Sequence, residues 1–321
     1  MIVWFLFLLM IGIFLALDLG VFNRHSHEIS YKEASRWTLF WTLIGLSFSG
    51  IIYLIYNQGW LGPSAKTSEP LTASIEYLTG YIIELTLSID NIFVIAMIFR
   101  SFKIPLKYQH RVLFWGILGA LLFRGLMIVF GVVLIESFTW TTYVFGAFLI
   151  FTAIKMALSD EEHEFDPKKS WIYRTIRKII PVTGRIDSQH FLVKKRGLTI
   201  ATPLFLALIL IEFTDVLFAL DSIPAILGIT RDPFIVFTSN IFAIMGLRSM
   251  YFFVANMLDS FHYLKYSLTV ILIYVGIKLI LANHYHLSLG LSLGVIALSL
   301  ILGIYFSVRY KKEHDGSSLK K

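Results

Sequence analysis

The chain has 321 residues, of which 57% are hydrophobic and 15% charged, and its mean hydropathy is +0.74. Soluble domains carry about 45–50% apolar and about 25% charged residues, so a soluble globular enzyme is excluded. The net charge of +7 comes from 28 basic and 21 acidic residues, and its distribution along the chain explains it better than a nucleic-acid partner would.

Apolar stretches fall at about nine positions: 2–22, 36–57, 72–100, 110–135, 139–158, 200–228, 233–256, 263–283 and 287–308. Each is long enough to cross a hydrocarbon core of about 30 Å as a helix. The expected fold is therefore all-α, a polytopic helical membrane protein of about nine transmembrane helices forming a single domain over 1–321. The first stretch, Met1 to Phe22, is apolar apart from Asp18 and has no Lys or Arg ahead of it, which favours a retained span over a cleaved signal.

With the amino terminus outside, the segments 23–36, 100–111, 159–199, 257–265 and the tail after 308 face the cytoplasm and hold 3, 4, 9, 1 and 5 of the basic residues. The opposite side receives only Lys66 and Arg231. The positive-inside rule thus predicts an outside amino terminus and a cytoplasmic carboxy terminus. The polar stretch 159–199 divides the chain into two halves.

The halves resemble each other. Glu84-Leu-Thr-Leu-Ser-Ile-Asp90-Asn-Ile92 matches Asp215-Val-Leu-Phe-Ala-Leu-Asp221-Ser-Ile223, with two acids six apart, then an amide or hydroxyl, then isoleucine. Arg124-Gly-Leu-Met127 matches Arg248-Ser-Met-Tyr251, and the block Ile150 to Leu158, with Lys155, matches Ile273 to Leu281, with Lys278. The order predicts a first repeat over 72–158 and a second over 200–283, joined by the linker 159–199. Three spans separate matched helices, so the repeats cross the membrane in opposite senses, an arrangement common in secondary transporters.

Glu84, Asp90, Glu212, Asp215 and Asp221 lie within spans, where an ionised carboxylate costs about 2.5–3.5 kcal/mol even on lenient insertion scales. Their concentration on two matched helices points to a central cation site. Arg124, Lys155, Arg248 and Lys278 are the available balancing charges, and pairing that serves only to hold the bundle together is the alternative. On an unbroken helix, residues six apart sit about 120° and about 9 Å from each other and cannot share one ion. Asp90-Asn91 and Asp221-Ser222-Ile223-Pro224 look like N-caps opening a second segment, which predicts discontinuous helices. Glu212 and Asp215 share a face without any break, while Tyr81 stands opposite Glu212 in the first repeat.

The surrounding candidate ligands are Asn91, Ser222 and Asn240, with Ser88, Thr86 and Thr214. This all-oxygen set suits manganese, magnesium or calcium and disfavours copper and zinc, and no histidine or methionine clusters near the acids in the sequence. The chain contains no cysteine, which removes disulfides and thiolate sites and leaves oxygen or nitrogen to hold any metal. Proton coupling through the buried acids is open. The His25-Ser-His27-Glu28 and Asp160-Glu-Glu-His-Glu164 clusters read as solvated loops, and Asn283-His-Tyr-His286 as an outer-side segment. Trp37, Trp41, Trp60 and Trp140 read as interface anchors, and Gly116, Gly119, Gly246 and Gly290 as close-packing positions. No Walker loop, dinucleotide fingerprint or catalytic triad is present, so neither enzymatic activity nor a bound cofactor is expected.

Four blocks carry a family resemblance: Ala16-Leu-Asp-Leu-Gly-Val-Phe22, Glu84 to Phe93, Glu212 to Ala225, and Asp232 to Phe252. On these residues the sequence resembles the TerC family, named after tellurium resistance, and most of all its Alx-type branch. The resemblance implies a bacterial inner-membrane protein related to the lysine-exporter superfamily, with export of Mn2+ from the cytoplasm as the function of Alx-like members. It also implies that Glu84, Asp90, Glu212, Asp215 and Asp221 are the transport acids, since each falls within a family motif. Mn2+ is then a substrate rather than a cofactor. A calcium or other divalent cation carrier of the same architecture, and a non-transporting scaffold or insertion factor, are the alternatives; protein partners are unassigned.

Overall fold

The computed structural model describes residues 2–17, 30–62, 65, 69–138, 140–158, 173–175, 178, 180–183, 190–195, 198–254, 264–282, 284–285 and 288–318. The clusters at 23–28 and 160–164, together with Asp18, Asn283 and His286, lie outside the described residues. Nine helices occur among those described: α1 (Ile2–Leu17), α2 (Tyr31–Asn57), α3 (Pro70–Ser101), α4 (Leu106–Ser137), α5 (Thr141–Leu158), α6 (Pro203–Leu227), α7 (Pro233–Val254), α8 (Leu264–Leu281) and α9 (Leu289–Ser318). Seven contain windows long and apolar enough to cross a membrane; the apolar cores of α1 and α8, Ile2–Ala16 and Tyr266–Leu281, are shorter.

The helix starts follow local chemistry. Ser30 caps α2 by accepting a hydrogen bond from the Glu33 backbone N–H at 3.3 Å, with Glu33 completing a capping-box pattern. Proline occupies the first turn of α3 and α6, where its missing N–H removes no helical bond. Asp232 accepts from the backbone N–H groups of Phe234 at 3.0 Å and Ile235 at 3.4 Å, closing the start of α7.

Both motif helices run as single helices, contrary to the expected breaks. α3 is 32 residues long, about 48 Å, so its excess over the bilayer is taken up by length rather than by a second segment. Pro224 sits inside the last turns of α6, where it forfeits one backbone bond without ending the helix. A continuous helix satisfies nearly every backbone group internally, which is what a hydrocarbon surrounding demands.

A second departure precedes α6. Residues Leu192–Lys195 (β1) and Leu198–Ala201 (β2) pair antiparallel, with Leu192 opposite Ala201 and Lys195 opposite Leu198. The apolar stretch read as a span from 200 therefore opens in a strand and becomes helical at Pro203.

α3 and α7 form the buried centre of the bundle. α3 packs along α7, α4 along α6, and α5 along α8, while α1 and α2 cover α7 from outside. Aromatic rings fill the α1–α2–α7 contact, where Phe7 lies 5.7 Å from Phe48 and Phe48 4.5 Å from Phe242. The α5–α8 contact depends on two glycines: a Cβ at Gly146 would lie 2.6 Å from the Gly276 carbonyl oxygen, and one at Gly276 would lie 2.8 Å from that of Gly146. Large apolar side chains remain exposed on the outer helices, among them Phe130, Phe151, Leu298 and Ile301, as a lipid-facing surface requires. Trp60 and Trp140 are exposed near helix ends as expected of interface anchors, whereas Trp41 is buried against Phe14 and is a packing residue. Gly290 has open space beside it and is no close-packing site.

Candidate functional site

The site is built around Arg124, one of the largest fully buried side chains in the described structure. α4 carries this arginine between α3 and α6, so its guanidinium meets acids from both matched helices. It forms an ion pair with Glu84 through Nη1. Its Nε and Nη2 donate to Asp215 Oδ2 and Oδ1 at 3.0 and 2.7 Å, a bidentate fork. Asn240 on α7 closes the ring by accepting from Nη1 at 3.3 Å while its Nδ2 donates to Glu84 Oε2 at 3.0 Å. Asn91 Nδ2 donates to Asp215 Oδ1 at 3.3 Å. The result is two carboxylates, one guanidinium and two amides with almost no water access, an arrangement in which each charge is tolerable only because the others are present.

Asp221 lies off this ring. It accepts a hydrogen bond from Thr152 Oγ1 on α5 at 3.1 Å and faces a cavity of about 30 Å3 that Glu84, Asn91, Arg124 and Ser222 also line. That space suits a water or a bare ion and no organic ligand. Two polar groups on the cavity are unpartnered among the described residues: Asn91 Oδ1 and Ser222 Oγ, on side chains 4% and 1% exposed. A buried oxygen without a donor is costly, and a cation would satisfy both. A second small cavity is bordered by Asn91, Asp215, Thr214 and Ile117.

The expected ligands separate into groups. Glu84, Asp221, Asn91 and Ser222 share the first cavity, while Asp215 touches the second. Asn240 serves Glu84 and Arg124. The Asp90 side chain lies outside the described ones. Glu212 is directed at Gly119 of α4, whose missing Cβ leaves the space its carboxylate occupies. Thr86 and Thr214 donate to their own helix at Ile82 and Ile211. Among the described residues no three His, Cys, Asp or Glu side chains are grouped to hold a metal ion, and Arg124 pairs with both Glu84 and Asp215.

The balancing cations also divide. Arg124 does pair with the acids, but Lys278 Nζ donates to Ser292 Oγ on α9 at 2.9 Å instead. Lys155 stands within electrostatic reach of Asp221, and Arg248 is buried in α7.

Two residues of α5 escaped the sequence reading: Thr152, which donates to Asp221, and Met156, which borders the cavity. They lie four apart on α5, hence on one face. The only sequence signal was a hydroxyl and a thioether bracketing Lys155 inside an apolar span. No methionine clusters near the acids in the sequence, but the packing brings one, Met156, to the cavity that Asp221 lines.

A multi-helix membrane bundle with a buried, charge-paired polar centre defines a class rather than a protein. Sequence comparison narrows it. The family model described as "Integral membrane protein TerC family" matches residues 70–315, and the chain belongs to that family. It is 42% identical over 320 residues to the "Putative membrane-bound redox modulator Alx" of Escherichia coli K12, covering 98% of this chain and 97% of that one. It is 45% identical over 294 residues to the "Uncharacterized membrane protein STKORF319" of Myxococcus xanthus, covering 92% and 88%. A Rickettsia bellii "Uncharacterized membrane protein" is 42% identical over 312 residues, covering 97% and 99%. No solved structure matches the chain.

Proposed function

We propose that the chain exports Mn2+ from the cytoplasm across the inner membrane, and that it is a carrier, not an enzyme. The observation that carries this reading is an ion-sized cavity among membrane-crossing helices lined by Asp221, Glu84, Asn91 and Ser222, with Asn91 Oδ1 and Ser222 Oγ unpartnered among the described residues. Carboxylate, amide and hydroxyl oxygens favour a hard or borderline divalent cation. Asp221 and, from its matched position, Asp90 are the central ligands, with Glu84, Asp215 and Glu212 assisting or carrying protons.

Two features support alternating access about an internal two-fold. The first helix of each matched unit packs on the second helix of the other, α3 on α7 and α6 on α4, and the third helices pack together. The Asn91–Asp215 hydrogen bond and the shared cavity of Ser222 and Glu84 are counterparts under the same matching. Rocking one unit against the other would open the ion space to each side in turn. In this reading the amino terminus lies outside and the carboxy terminus in the cytoplasm, and Arg124 holds Glu84 and Asp215 when no ion is bound.

The test is the manganese content and survival of manganese-loaded cells lacking their own exporter, expressing the native chain or its Asp90→Asn, Asp221→Asn variant at equal membrane levels. Lower manganese with the native chain alone is expected. Equal manganese in both would overturn export through this site.

A further inference from the structure

The geometry points to Met156 as the residue that sets ion selectivity: it lines the same cavity as Asp221, and its thioether biases the site toward transition-metal ions over Ca2+ and Mg2+. This deepens the export reading above and rests on it.

Met156 borders the same cavity as Asp221, Glu84, Asn91 and Ser222. Thr152, one turn earlier on the same helix face, donates its hydroxyl to Asp221 Oδ1 at 3.1 Å. α5 therefore supplies one hydroxyl to the acid of α6 and one thioether residue to the cavity that acid lines. The unpartnered Asn91 Oδ1 and Ser222 Oγ mark the same space as one built to receive a cation. By the repeat matching of Ile150 with Ile273, the positions equivalent to Thr152 and Met156 are Val275 and Leu279. The sulfur is thus contributed from one side only, and it is not a by-product of the internal symmetry.

The chemical consequence follows from ligand softness. A hard ion such as Ca2+ or Mg2+ must exchange a water oxygen for a polarizable thioether that binds it poorly, so the loss of hydration is not offset. A transition ion loses less, and a soft ion such as Cd2+ gains. The carboxylates attract any divalent cation, and the sulfur discriminates among them.

The experiment uses the full chain, purified and reconstituted in liposomes, with Mn2+ flux measured alone and against added Ca2+, Mg2+ or Cd2+. Met156→Leu preserves volume and apolar character, so the bundle should assemble; Met127→Leu, a methionine away from the cavity, is the control. The native chain and the M127L control should be inhibited by Cd2+ far more strongly than by Ca2+. In M156L the Cd2+-to-Ca2+ preference should fall about tenfold or more, the scale typical of losing one group around a metal. M156L that transports Mn2+ with an unchanged preference order would overturn the role of Met156 and leave export standing. Absence of Mn2+ flux from the native chain would instead overturn the export reading, and this inference with it.

Discussion

Replacing Arg124 by glutamine tests the central ring most directly. Glu84 is 1% exposed and the Asp215 side chain 9% exposed, and both rely on the same guanidinium. Without it, Glu84 keeps only Asn240 and Asp215 only Asn91 among the bonds described above. Removing one partner of a buried ion pair typically costs about 3–5 kcal/mol, because a carboxylate stays behind in an apolar surrounding. Here two stay behind, so R124Q should lie at the upper end of that range. Changing Asp215 to asparagine in the same chain removes one stranded charge and should recover part of the loss, giving a coupling of about 1–3 kcal/mol between the positions. R124K should fall between R124Q and the native chain, since an ammonium keeps the charge but cannot form the bidentate fork. The assay is unfolding in detergent, followed by tryptophan fluorescence, of the native chain, both single variants and R124Q/D215N. Strict additivity of R124Q and D215N would refute the ring as an energetic unit.

Three further outcomes are expected. Gly119→Ala places a Cβ on the Glu212 carboxylate, which should lower stability by about 1–3 kcal/mol; a double variant with Glu212→Ala should regain it in the same unfolding assay. Gly146→Ala should separate α5 from α8, because its Cβ would meet the Gly276 carbonyl oxygen at 2.6 Å; a loss of about 1–3 kcal/mol is expected, visible as reduced thermal stability in detergent. Thr152→Val removes the hydroxyl that orients Asp221 while keeping size, and should raise the Mn2+ KM of flux in liposomes by about tenfold with little change in stability; an unchanged KM would remove Thr152 from the site.

The spans and the acids were legible in the sequence because both rest on composition over long windows: apolar length reports the hydrocarbon core, and an acid within it must have a purpose. Arg124 as a balancing cation was legible for the same reason. Its specific partners were not, since hydrophobic periodicity does not say which helix of one unit faces which of the other; the pairing of Glu84 with Asp215 through Arg124 is a product of packing. The expected helix breaks failed because Asp-Ser-Ile-Pro fits the interior of a helix near its end as well as an N-cap, and only the absence of water decides between them. The sequence does not reveal the hydrogen bond of Lys278 to Ser292, because a long amine can reach a hydroxyl one helix away. Trp41 was read as an anchor from its position near a span end, whereas α2 turns it toward α1.

Glu84 connects the ring to the ion space, since it pairs with Arg124 and also borders the cavity shared by Asp221 and Ser222. A cation entering that cavity would draw on the same carboxylate that Arg124 holds. On the export reading, ion binding and the Glu84–Arg124 pairing would oppose each other, and the fixed arginine would act as a resident competitor for the ion. Asp215, gripped by two nitrogens, can keep Arg124 in place while Glu84 changes partner. The asymmetry matters: one acid is tied by a fork, the other by a single nitrogen and an amide. A symmetric pair would release the arginine entirely or not at all, whereas this one can yield a ligand to the ion without leaving a buried positive charge unpaired.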